Sequence, residues 1–140
     1  MIVIGATNRP ADLDDGVLRR LERRVLVPLP DTRTRTALLE VTLTDQATQL
    51  DPHELGAIAE ATAGYSGSDI AALCKEAAMR PVRELRPEQL VTVNVATLRP
   101  LRRADFDKAM EVVKASVPTE TLAAFDAWNT KFGMSMSSLS

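Results

Sequence analysis

Apolar residues follow two different patterns along this chain. Up to Pro30 they come in short unbroken runs: Met1-Ile2-Val3-Ile4 ahead of Gly5-Ala6, and Val25-Leu26-Val27 ahead of Pro28 and Pro30. Runs this short, β-branched and closed by turn formers, predict strands buried on both faces. Between them, roughly Asp14 to Glu22 is predicted as a helix, followed through the cluster Arg19, Arg20, Arg23 and Arg24. Two strands and a short helix are pieces of a sheet, not a whole one.

After Pro30 the period becomes helical. Thr32 to Leu43 carries a stripe of Leu38, Leu39 and Leu43. Asp51-Pro52-His53-Glu54 then opens a second helix with an N-cap acceptor, a proline where its missing N–H costs nothing, and a capping-box glutamate. Leu55, Ile58, Ala59 and Thr62 fall on one face of it, and Gly64 ends it. Ser66-Gly67-Ser68-Asp69 caps the next helix, whose buried face is Ile70, Leu73, Cys74, Ala77 and Ala78. Pro81 ends or kinks that helix, with Val82 to Leu85 adding a turn. Residues 86–102 read as a loop with room for a short strand. Phe106, Ala109, Met110 and Val113 mark a further helix, with a weak start because Ala104-Asp105 lacks a Ser/Thr cap. A last helix begins near Thr119 with Leu122, Phe125 and Trp128 on one stripe, and 134–140 reads as a flexible tail.

Composition narrows the function. With 140 residues, one compact domain burying roughly two-thirds of its unfolded surface is expected. A balance of 17 basic against 19 acidic residues excludes the global basicity of a simple nucleic-acid binder. One Cys and one His exclude an internal disulfide and a self-contained zinc site. No apolar run approaches the ~20 residues of a membrane span, which predicts a soluble, intracellular chain. Cys74 reads as an inert core thiol and His53 as exposed.

Phosphate chemistry needs a cradle such as G-x-x-x-x-G-K-[ST], and none of the six glycines fits one. No apolar strand ends in an Asp-Glu pair, and no G-x-S-x-G, H-E-x-x-H or Cys cluster occurs. From its residues alone the chain holds no complete active site.

Gly5-Ala6-Thr7-Asn8-Arg9-Pro10, with Leu13-Asp14 and Leu18-Arg19-Arg20 behind it, resembles the sensor 1 region of the AAA ATPase family. Gly64-Tyr65-Ser66-Gly67-Ser68-Asp69-Ile70, then Leu73-Cys74-Lys75-Glu76-Ala77-Ala78, resembles the family's sensor 2 helix. Pro81-Val82-Arg83-Glu84-Leu85 and Trp128-Asn129 with Phe132-Gly133 narrow the resemblance to the meiotic subgroup of spastin-, fidgetin- and katanin-like microtubule-severing ATPases. It runs from Met1 to about Gly133, and the Walker A and Walker B half is not in the sequence.

The fold class implied is mainly α with a small α/β remnant. Residues 1–30 would be the end of the large subdomain, 31–118 the helical lid and 119–133 a C-terminal helix. In the family's strand order, 5-1-4-3-2, the two strands here flank a missing one. They cannot pair with each other, so residues 1–30 are expected disordered, swapped or paired with another copy, while Asp31 to Trp128 folds alone.

The resemblance also implies roles. Asn8 would position the lytic water; spacing alone favours an Asn satisfying turn amides, and the surrounding Gly5-Ala6-Thr7-Asn8-Arg9-Pro10 reverses that preference. Arg19 and Arg20 would be arginine fingers reaching a neighbouring subunit's nucleotide, although two arginines ending a helix also suit its dipole. Arg23 and Arg24, outside the matched pair, read as solvated charges. Gly64, Tyr65, Gly67 and Ser68 would close over adenine and ribose, Asp69 would cap or contact another domain, and no sensor 2 arginine is present. Leu21 stands where the family often has Phe.

The implied function is the rear part of an ATP-hydrolysing AAA remodelling enzyme of severing type that works as a ring hexamer when complete. Its complete module uses ATP with Mg2+, acts on microtubules in the cytoplasm, binds no nucleic acid and has no membrane span. The chain alone is expected to bind no cofactor tightly and to be inactive. The alternatives are a standalone helical binding or assembly module, or the vacuolar-sorting type of the same subgroup.

Overall fold

The computed structural model describes residues 2–90 and 98–133. In chain order it has a 3-10 turn at Pro10–Asp12, then α1 (Asp15–Arg20), α2 (Thr32–Leu43), α3 (Pro52–Ala61) and α4 (Gly67–Ala78). α5 (Arg80–Arg83), α6 (Pro87–Leu90), α7 (Arg103–Val112) and α8 (Thr119–Phe132) follow. The chain divides into two compact units, one of 1–28 with 118–140 and one of 29–117. The mainly helical fold class expected from the sequence is the one found. The tail at 134–140 lies outside the described residues, as does 91–97 of the expected loop.

The 29–117 unit is a helical bundle built on α4, which packs against both α2 and α7, with α3 laid on α2. Leu39, Ile58, Ile70, Leu73 and Phe106 are fully buried at its centre. Each such side chain stabilises the unit by about 1.5–3 kcal/mol relative to exposure. The predicted stripes supply this core: Leu39 and Leu43, Ile58 and Ala59, then Ile70, Leu73, Cys74 and Ala77, then Phe106 and Ala109. Thr62 is also fully buried, and its hydroxyl donates to the Ile58 carbonyl at 2.9 Å, so it extends the stripe at little cost.

The caps are where the sequence placed them. Asp51 and Glu54 close a reciprocal capping box on α3, and Ser66 and Asp69 close another on α4. Gly64 takes φ +83°, the left-handed geometry that lets the chain turn from α3 into α4. α7 corrects one expectation. Its start is well held, because the Asp105 carboxylate accepts from the Arg102 amide at 2.9 Å and is clamped by Arg99. The acceptor reaches back from the helix, so no Ser/Thr at the N-cap is needed. Leu101 bridges Thr48 in parallel, with Leu101 N–H donating to the Ala47 carbonyl and Gln49 N–H to the Leu101 carbonyl, both at 2.8 Å.

In the other unit, the two segments expected as strands form no strand pairing among the described residues. Ile2, Ile4 and Val27 are 89%, 90% and 85% exposed. A strand exists through its neighbour's hydrogen bonds, and these runs have no pairing neighbour among the described residues. α8 belongs to this unit and contacts the Pro10–Asp12 turn. Trp128 and Phe132 meet at 5.3 Å between ring centroids on α8. Gly133 follows, where an added Cβ would lie 2.7 Å from the Asn129 carbonyl oxygen.

Candidate functional site

Asn8 sits in the turn that leads into the Pro10–Asp12 segment. The Arg9 amide donates to Thr7 Oγ1 at 3.0 Å, and Arg9 pairs with Asp12 at 2.8 Å. Thr7 thus supplies the turn acceptor that spacing alone suggested for Asn8. Asn8 itself is exposed and lines an apolar cleft of about 580 Å3 together with Leu18, Leu21, Arg24, Phe125 and Trp128.

Asp14 starts α1 by accepting from the Val17 amide at 2.8 Å. That cap fixes the register, which places Arg19 and Arg20 as the last two residues of the helix. Both are exposed, and neither is in an ion pair among the described residues. Arg19 Nε donates to the Asp15 carbonyl at 3.1 Å on its own helix, leaving its terminal nitrogens without a protein acceptor there. Asn8 and Arg19 line different recesses; Arg19 shares a shallow one with Asp15, Glu22, Arg24 and Phe132.

Arg24 corrects the sequence reading. Read as a solvated charge, it is instead half-buried and hydrogen-bonded to two carbonyls, of Leu18 and Phe132. Nothing in the local sequence announces this, since the second acceptor lies 108 residues away.

In the bundle, Gly64 to Ser68 forms the turn and first residues of α4. Gly67 and Ser68 are exposed, and their amides belong to the first turn, where helical partners are lacking. Tyr65 points inward: it is 8% exposed and its hydroxyl donates to the Val113 carbonyl. Burial, and then the nearby Asp69 charge, raise its pKa. Its ring is core, so what this segment offers a ligand is backbone and Ser68. A side chain at Gly67 would meet only Leu38 at 4.0 Å, so no crowding compels glycine there.

Asp69 is the electrostatic centre of the segment. Its Oδ2 accepts from Ser66 N–H at 2.8 Å, Ser66 Oγ at 2.9 Å, and the amide and hydroxyl of Ser116, both at 3.1 Å. Burial pushes its pKa up, but the Ser66 and Ser116 donors outweigh that and hold it below the usual range. The described residues contain no cluster of His, Cys, Asp and Glu able to hold a metal ion. No described helix is long and apolar enough to cross a membrane.

Comparison with known proteins agrees with this architecture. Residues 53–95 match the AAA+ lid domain family. Spastin from Gallus gallus is 45% identical over 133 residues, covering 95% of this chain and 22% of that protein. Spastin from Homo sapiens is 46% identical over the same span, again 95% and 22%. Among solved structures, the FIGL-1 AAA domain in complex with ADP superposes with a TM-score of 0.89 at 37% identity, covering 94% of this chain and 44% of that one. A structure of katanin self-assembly gives 0.73 at 28% identity, covering 85% and 43%.

A helical unit that matches the AAA+ lid, within a chain matched over 95% of its length, marks the chain as the C-terminal part of a AAA module. Within that class it is similar to the C-terminal part of spastin and of the FIGL-1 AAA domain. It spans about a fifth of the length of the spastins it matches, 22%.

Proposed function

We propose that this chain serves as the rear part of an ATP-hydrolysing, ring-forming AAA enzyme that severs microtubules. One observation carries the reading most: Arg19 and Arg20 end a capped helix, exposed and outside any ion pair among the described residues. An arginine kept for a neighbouring subunit must not be spent on its own chain. Phosphoryl transfer spreads charge over equatorial oxygens, and a forked, permanently charged guanidinium is suited to stabilise it across an interface.

In the complete module, bound ATP with Mg2+ supplies the phosphoryl group and its charge. Asn8, exposed at the end of the first segment, orients the attacking water through its side-chain amide. The first-turn amides of Gly67 and Ser68, with the turn at Gly64, cover the sugar and base; Tyr65 holds that turn from beneath. The ADP bound to FIGL-1 and the self-assembly of katanin support a nucleotide-dependent ring, and spastin relatives support a cytoplasmic, cytoskeletal setting. The 140-residue chain alone turns over no ATP, since its sequence carries no phosphate-binding loop.

The test is Arg19→Ala in a complete module containing this segment. Turnover should fall by roughly 10³-fold with nucleotide binding spared. Weakened binding with unchanged turnover per bound nucleotide would overturn the finger role.

A further inference from the structure

Arg24 joins two helix ends. One terminal nitrogen of its guanidinium donates to the Phe132 carbonyl at 2.9 Å, and the other donates to the Leu18 carbonyl. Leu18 lies in the last turn of α1 and Phe132 is the last residue of α8. Carbonyls at helix C-termini lack intrahelical donors and carry the negative end of the macrodipole, so a cation is favoured at both. Nε is buried without an acceptor, which leaves these two carbonyls as the hydrogen-bonding anchors of the group among the described residues. Although Asp15 and Glu22 line the recess beside it, Arg24 is in no ion pair with them among the described residues.

We infer that Arg24 is a positioning residue that ties the helix bearing Arg19 and Arg20 to the C-terminal end of α8. α1 has only six residues and no buried side chain, so packing alone holds it weakly. A planar guanidinium with two fixed nitrogens reaches two carbonyls at once, which a lysine's single ammonium does not reproduce. Any displacement of α8 is thereby passed to the two arginines at the end of α1. The functional half of this inference rests on reading Arg19 as a finger.

The test compares Arg24→Lys and Arg24→Ala with Arg23→Ala, an exposed neighbour, as control. In the 140-residue chain, both Arg24 variants should speed amide exchange roughly tenfold in the last turns of α1 and α8 together, and Arg23→Ala in neither. In the complete module, Arg24→Lys should lower kcat roughly tenfold with KM for ATP unchanged. It should add nothing to Arg19→Ala, because it acts through that residue. Unchanged exchange in either helix under Arg24→Lys overturns the tie, and a loss additive with Arg19→Ala overturns the positioning role. Undiminished turnover in Arg19→Ala means that the finger reading itself has failed and takes the functional half with it. The exchange measurement still decides the tie between the helices.

Discussion

Ser116 gives both its amide and its hydroxyl to one carboxylate oxygen of Asp69, at 3.1 Å each. The same oxygen closes the capping box of α4 with Ser66, so the start of that helix and the strand of chain leaving α7 share one anchor. Tyr65 repeats the connection from the other side, through the Val113 carbonyl. The turn proposed to cover nucleotide is therefore fixed to the segment 113–116 at two points.

Removing the anchor should be costly. Asp69→Ala removes the shared acceptor of half-buried Ser66 and exposed Ser116, an expected loss of about 2 kcal/mol, while Ser116→Ala should cost about 1 kcal/mol. The pH dependence follows from the lowered pKa of Asp69. Its stabilising contribution is complete above the ordinary carboxylate range near pH 4 and is lost as pH falls through the lower folded value. Chemical denaturation at pH 7 and again near pH 3 checks this: the gap between the native chain and Asp69→Asn should shrink at the acid end.

Arg99 makes a second prediction. Its guanidinium reaches Asp105 at 2.8 and 2.9 Å and also forks onto Glu84. The Arg99 bonds, ahead of burial acting in the opposite sense, lower the pKa of Asp105. Arg99→Leu strands a nearly buried carboxylate at the start of α7 and should destabilise the bundle by about 2 kcal/mol at pH 7, less below pH 4 as Asp105 protonates. Glu84→Ala, on the exposed side of the pair, should change the melting temperature little. Equal losses for Arg99→Leu and Glu84→Ala would contradict this division.

Much of the bundle was legible because its signals are local. The caps at Asp51 and Ser66 and the stripes behind them lie within one or two helical turns, where spacing and geometry determine each other. What escaped was set by distant partners. Asp105 caps α7 backwards with help from Arg99, and Arg24 finds its second acceptor at Phe132. The short runs at Ile2–Ile4 and Val25–Val27 have strand composition, yet with no neighbouring strand among the described residues they form no ladder there. The roles proposed for Asn8, Arg19 and Arg20 rest on resemblance alone, since exposure and freedom from ion pairs leave no periodic trace.

Arg35 is another long-range feature. It is 5% exposed inside the bundle, unpaired with any acid among the described residues, and donates to the Ala59 carbonyl at 2.9 Å, the Pro30 carbonyl at 2.7 Å and Thr32 Oγ1 at 3.1 Å. It thereby joins the start of α2 to the last turn of α3. Arg35→Met keeps the apolar stem but abandons three acceptors, and should destabilise the unit by about 2–3 kcal/mol. Because 29–117 is a separate compact unit, the loss should appear in its melting while exchange in α1 and α8 stays unchanged.

Cys74 offers a way to follow that unit directly. It is the single cysteine of the chain, 3% exposed on the inner face of α4, and burial pushes its thiol up to about 11. Only the thiolate reacts with disulfide reagents, so at pH 8 the native thiol is both shielded and roughly a thousandfold short of thiolate. Labelling should therefore proceed through opening of the bundle, with a rate that rises in denaturant and in Asp69→Ala or Arg35→Met. In Arg24→Ala, whose effect belongs to the other unit, the rate should stay at the native value. Fast labelling of the native chain, at the rate of a free thiol, would show that α4 is not the centre of a stable core.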